Sequence, residues 1–173
     1  MPVILLVLGS LLFWVLYWFV RMGGIQHFQA RAAERKEEAR RAAARESAKL
    51  APLRAIDDPR DAAAILMVLI ARHDGDPTRE QFGFIEERMR TVFGFDRELT
   101  ERMTHARFMA GQCESFAQAA AVFAALFRRR LTDAECRELL DMIEDVARHE
   151  GPSEQQADAI SAFRPMIGLA AAR

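Results

Sequence analysis

Two short stretches of this chain gather side chains able to bind or carry charge. They are Ala71-Arg72-His73-Asp74-Gly75-Asp76 and, far downstream, Ala147-Arg148-His149-Glu150-Gly151. In the first, Asp74 and Asp76 flank a glycine and Glu80 follows soon after. In the second, Glu150 precedes the glycine and Glu154 follows it. Carboxylates at this density are hard oxygen ligands of the kind that hold Ca²⁺ or Mg²⁺. His73 and His149 would add nitrogen toward a softer metal. Asp74, Asp76, Glu80, Glu150 and Glu154 are therefore the candidate metal ligands, and a divalent cation is the one cofactor suggested. The EF-hand template does not fit, because its glycine follows three alternating acids. The same residues also suit a turn. Asp-Gly is a turn dipeptide. Acids beside a helix N-terminus, like a histidine beside a C-terminus, gain roughly 0.3–1 kcal/mol from the helix dipole. Cation site and well-made turn both stand at this level.

Catalytic signatures are missing. The chain has no phosphate-binding GxxxxGK[ST], no GxSxG and no GxGxxG. His149-Glu150 opens like H-E-x-x-H, but Ser153 stands where the second histidine is required. No set of nucleophile, base and orienting group can be assembled, so the chain reads as a non-enzyme. Cys113 and Cys136 are too few for a disulfide framework or a metal knuckle and read as buried thiols on helix faces.

The elements that must position these residues are helical throughout, since every long segment beyond Pro52 has helical period and none alternates like a strand. Asp58-Pro59 is a helix start, a capping side chain followed by proline in the first turn. Residues 62–71, AAAILMVLIA, are apolar on all sides and predict a central helix buried by its neighbours. Thr78 with Gln81 forms a capping-box pattern. The helix it opens presents Phe82, Ile85, Met89, Val92 and Phe93 as one stripe and stops at Gly94. Further helices are expected from about Asp96 to Ala110, with Leu99, Met103 and Ala106 inward, and from about Cys113 to Arg129, with Phe116, Ala120, Phe123 and Phe127 inward. Thr132 and Glu135 make another capping box, ahead of the stripe Cys136, Leu139, Leu140, Ile143 and Val146. Gly151 breaks that helix and Ser153 starts the last, with Ala157, Ile160, Phe163 and Ile167 facing in.

The two chemistry-bearing stretches occupy equivalent places in this pattern. Ile70 to Gly75 aligns with Val146 to Gly151, and after a one-residue deletion Thr78 aligns with Ser153. Each copy reads as buried helix, histidine, acid, glycine turn, hydroxyl cap and amphipathic helix. The expected fold class is an all-α domain of about six helices built from two pseudo-repeated helix pairs.

The stretch LMVLIARHDGDPTREQFGFIEERM, with its echo at 146–168, resembles the TerB-like, tellurite-resistance-type helical domain. Such domains also occur in membrane-anchored DnaJ-like cochaperones. The resemblance covers roughly residues 53 to 170. It implies an all-helical fold without established enzymatic activity, tied to membrane-associated stress responses and proposed to bind metal through its acids. Its motif falls on Asp74, Gly75 and Glu80, and again on Glu150, Gly151 and Glu154. The chain departs from the pattern where Glu150 replaces an aspartate and where the second turn is one residue short. It also lacks any His-Pro-Asp tripeptide, hence a J-domain.

Ahead of this domain, residues 2–20 carry no charge. As a helix they would extend roughly 28 Å, close to the apolar thickness of a bilayer. Residues 1–21 are therefore expected to form a single transmembrane anchor contacting membrane lipid through 2–20. Arg21, Arg31, Arg35 and Lys36 follow the span, which sets the N-terminus outside and the remainder in the cytoplasm of a bacterial-type inner membrane. Residues 22–52 read as a solvated helical stalk rich in Ala, Arg and Glu, with Glu37 and Arg41 at favourable i,i+4 spacing. Residues 53–173 form the domain. Residues 21–50 carry a net charge of +4 and residues 51–173 a net of −5. An acidic domain argues against nucleic acid as the main partner. The function expected on these grounds is a membrane-tethered interaction module in a stress response, cation-dependent and with a protein partner. The alternative is an accessory subunit of a larger inner-membrane complex.

Overall fold

The computed structural model describes residues 13, 14, 17, 36–41, 44, 45, 47–149, 151 and 153–170. The chain divides into two units, residues 1–48 and 49–173. The described residues of the first are helical and exposed. The Glu37–Arg41 pair forms there, at 3.3 Å.

The second unit is all-α among the described residues. Its helices are α1 (Ala51–Arg54), α2 (Pro59–Ala71), α3 (Arg79–Phe93), α4 (Leu99–Gly111), α5 (Phe116–Arg130), α6 (Asp133–Arg148) and α7 (Glu154–Met166). α2 is the axis of the fold and packs against α3, α4, α5 and α6. Every residue from Ala62 to Ala71 is buried, as the all-round apolar run requires. At roughly 1.5–3 kcal/mol for each fully buried large apolar side chain, Ile65, Leu66, Met67 and Ile70 anchor the core. α7 closes the far side against α5 and α6. There Phe163 meets Phe116 and Phe127 edge-on at 5.7 and 6.1 Å.

Local chemistry fixes the helix starts. The Asp58 carboxylate accepts from the Arg60 N–H at 2.9 Å, with Pro59 in the first turn. Full capping boxes form at Thr78/Gln81, Thr132/Glu135 and Ser153/Gln156.

Four expectations need correction. First, among the described residues no helix is long and apolar enough to cross a membrane. A span needs about 20 apolar residues in one helix, and the longest described helix, α6, has 16. The anchor expected over 2–20 therefore has no support. Of those residues only Phe13, Trp14 and Tyr17 are described, and the rest lie outside the described residues. Contact with membrane lipid and the single-pass inner-membrane topology fall with the anchor. Second, α4 begins at Leu99 rather than Asp96, because the connection buries Phe95 beneath two arginines. Third, α5 begins at Phe116 rather than Cys113. The Ser115 hydroxyl caps it by accepting from the Gln118 N–H at 3.2 Å. Cys113 instead closes α4, its N–H donating to the Ala110 carbonyl. Fourth, Ala157 is exposed, and Gln156 takes the inward place.

Candidate functional site

The paired turns do come together. In both copies the glycine N–H donates to the carbonyl of the arginine three residues earlier, Gly75 to Arg72 at 3.3 Å and Gly151 to Arg148 at 3.2 Å. Both glycines have positive φ, +143° and +92°, a region disfavoured for side chains with a Cβ. Between the turns lies a cavity of about 180 Å³. Ala71, Asp74, Gly75, Asp76 and Gln81 from the first copy line it, with Ala147, Gly151 and Gln156 from the second.

Of the candidate metal ligands, Asp74 and Asp76 are among the described residues that line it. Both are exposed. Glu80 and Glu154 sit in the first turns of α3 and α7, exposed and outside the lining. Glu150 lies outside the described residues. Among the described residues no group of three His, Cys, Asp or Glu side chains is placed to hold a metal ion. The helix dipole is reason enough for acids at these positions. The expectation of a cation-dependent module is thereby withdrawn. His149 lies face to face with the Phe84 ring, 4.6 Å between centroids, and so serves packing. Burial pushes the thiols of Cys113 and Cys136 up, the latter aided by Asp133 and Glu135, so both are poor nucleophiles.

The buried polar residues at the turns are glutamines. Gln81 and Gln156 are 6% and 4% exposed. Each Oε1 accepts from its own cap residue's N–H, at 2.9 Å from Thr78 and 3.1 Å from Ser153. Gln156 does more, its Nε2 donating to the Ile70 carbonyl across the fold at 2.9 Å. The Ile70 carbonyl lies in the last turn of α2 and also accepts from the His73 N–H at 3.2 Å. The second turn thus adds a second donor at the end of the first copy's helix. The sequence signal was present: a capping box with glutamine rather than glutamate at its third position offers an amide donor that a carboxylate lacks.

A second concavity went unread in the sequence. It lies where the start of α2, the end of α3 and the first half of α6 meet, with a volume of about 240 Å³. Ala63, Val92, Phe93, Leu131, Leu139 and Met142 form apolar walls, and Arg60, Glu135 and Glu138 stand among the lining residues. Arg60 is engaged elsewhere. Its Nε and Nη2 donate to the Asp58 carboxylate at 3.1 and 2.8 Å, and its guanidinium stacks over Phe95 at 4.8 Å. Arg102 reaches the same acid at 3.2 Å, Asp61 at 2.7 Å and Glu98 at 2.9 Å, from a seat 4.3 Å above Phe95. The Arg60 hydrogen bond, joined by Arg102, lowers the Asp58 carboxyl to about 2 despite its partial burial. The Arg60–Asp58 pair is therefore neutral as a unit, and Glu135 and Glu138 remain as the uncompensated charges of the lining. The Thr132 N–H and hydroxyl hold Glu135 in place at 2.8 Å each and keep its pKa low.

Compared with known protein families, with curated proteins and with solved structures, the chain matches none. The resemblance to TerB-like domains is accordingly unsupported. It rested on an apolar helix, an Asp-Gly turn and a following glutamate, which capping and turn chemistry produce without common descent. With it go the tellurite-resistance and stress-response expectations. The expected protein partner and the alternative of an inner-membrane accessory subunit lose their footing with the family and the anchor, and the exclusion of nucleic acid rests on net charge alone.

Proposed function

We propose that residues 49–173 form a non-catalytic binding module whose site is the apolar cleft between α2, α3 and α6. The carrying observation is the cleft itself: semi-enclosed, apolar in its walls and charged at few points. That is the usual composition of a small-ligand site, though its volume lies below the common range of about 300–1,000 Å³. The walls belong to three helices and to Leu131 in the α5–α6 connection, and α2 and α6 are held by core contacts, so the shape is set before any ligand arrives. The described lining residues include no cysteine, histidine or serine, and both described thiols are shifted away from reactivity.

Methyl-resolved NMR of the full-length chain tests this. Small apolar probes added at millimolar concentration should shift the methyl signals of Val92, Leu131 and Leu139 ahead of those deep in α2. Val92→Trp, at a half-buried rim position, should fill the cleft and suppress those shifts while the domain keeps its cooperative melt. If the cleft methyls stay still, the proposal fails.

A further inference from the structure

The cleft has a chemical preference as well as a shape. We propose that it takes an amphipathic amine: a small apolar body against Val92, Phe93, Leu139 and Met142, with its ammonium group toward Glu135 and Glu138. This deepens the reading of the cleft as the binding site and rests on it. Size sets the body. A cavity of roughly 150 Å³ admits benzene, so about 240 Å³ accommodates an aromatic ring with a short chain. Charge sets the head group. Glu135 and Glu138 are i,i+3 on α6 and share a face. Both are exposed, so neither carboxylate is buried without a partner. Glu135 is held below the usual carboxylate range by the Thr132 hydrogen bonds and stays ionised. Among the described lining residues the one cation is Arg60, and Asp58 neutralises it through two hydrogen bonds. The positive end of the α6 dipole is offset by Asp133 and Glu135 in its first turn. The three arginines that end α5 are exposed, and none lines the cleft. A neutral ligand forgoes this attraction and an anionic one is repelled, by about fivefold per charge at about 4 Å in water.

The test compares three probes of one shape on the full-length chain, 2-phenylethylammonium, 2-phenylethanol and 3-phenylpropanoate, followed through the Val92, Leu131 and Leu139 methyls. The amine should bind about three- to tenfold tighter than the alcohol, and the carboxylate weakest. Raising the salt should narrow the spread. Glu138→Gln combined with Glu135→Gln should bring the amine to the level of the alcohol; glutamine keeps the capping box, so the fold is retained. Equal binding of amine and alcohol at the cleft overturns the preference and leaves the cleft as a binding site. An amine advantage that survives both substitutions also overturns it. If none of the three probes moves the cleft methyls, the binding-site reading and this inference fall together.

Discussion

The two turn-and-helix copies start from the same local grammar and end in different roles. The first, α2 through α3, and the second, α6 through α7, share an Arg-His sequence, a glycine turn with the same backbone bond and a glutamine capping box. In the second copy Phe163 sits in the core and touches two aromatic rings. Counting from the caps, the equivalent position in the first copy is Arg88. It is half-buried, paired with Asp145 and set 5.2 Å from the Phe84 centroid. α7 therefore sets an aromatic ring into its side of the core, with a concavity of about 310 Å³ left between it and α6. α3 leaves Val92 and Phe93 half-buried, and the cleft opens beside them. A duplicated local pattern repeats the turns but not the packing, because packing depends on what the neighbouring helices present.

Substitution at the equivalent pair puts the largest strain on this comparison. Phe163→Ala should destabilise the domain by about 3–5 kcal/mol, the cost of emptying an aromatic site in a packed core. Arg88→Ala should cost no more than about 1 kcal/mol, since a partly solvated ion pair contributes little. Urea denaturation with a constant m-value reads both. Similar losses would show that the two helices carry equal weight.

The turns give the next effect. Gln156→Ala removes the side-chain half of a capping box and one of the two donors to the Ile70 carbonyl, an expected loss of about 2 kcal/mol. Gln81→Ala removes only the cap contribution, about 1 kcal/mol. Equal losses would mean that the bond across the fold adds nothing.

A smaller and local effect follows from the arginine node at the start of α2. Asp58 titrates at about 2 in the fold against an ordinary value of 3.8. A depressed carboxyl contributes stability that is fully present above 3.8 and lost as pH falls toward 2. Relative to the intrinsic amide rate, hydrogen exchange at the 94–98 connection should therefore speed up between pH 4 and 2, while the α6–α7 turn lags behind. Asp58→Asn should flatten that response. Uniform acceleration at both places would place the acid sensitivity elsewhere.

The smallest effect belongs to Phe108, 65% exposed on the outer face of α4. Phe108→Ser should change stability by less than about 0.5 kcal/mol, because the ring buries little on folding. A larger loss, seen in thermal melts, would reveal a contact that the isolated chain lacks.

Helix identity and most helix limits were legible in the residues. Asp58-Pro59, Thr78 with Gln81 and Thr132 with Glu135 act through bonds within four residues, so the chain dictates them wherever it folds. The buried state of residues 62–71 was equally legible, since a helix apolar on every side has no face to give to water. The repeat of Arg-His and a glycine turn marked two equivalent turns, and the fold sets both against one cavity. The acids at those turns were ambiguous, because dipole stabilisation and metal ligation select the same side chains. Only the distances between copies separate the two, and those leave Glu80 and Glu154 outside the cavity lining. The Gln156 bond to Ile70 joins residues 86 positions apart. The cleft is made by three helices that meet only in the fold. Local bonding is written in neighbouring residues. The cross-fold bond and the cleft depend on which side chains distant helices turn toward each other, and tertiary packing alone decides that.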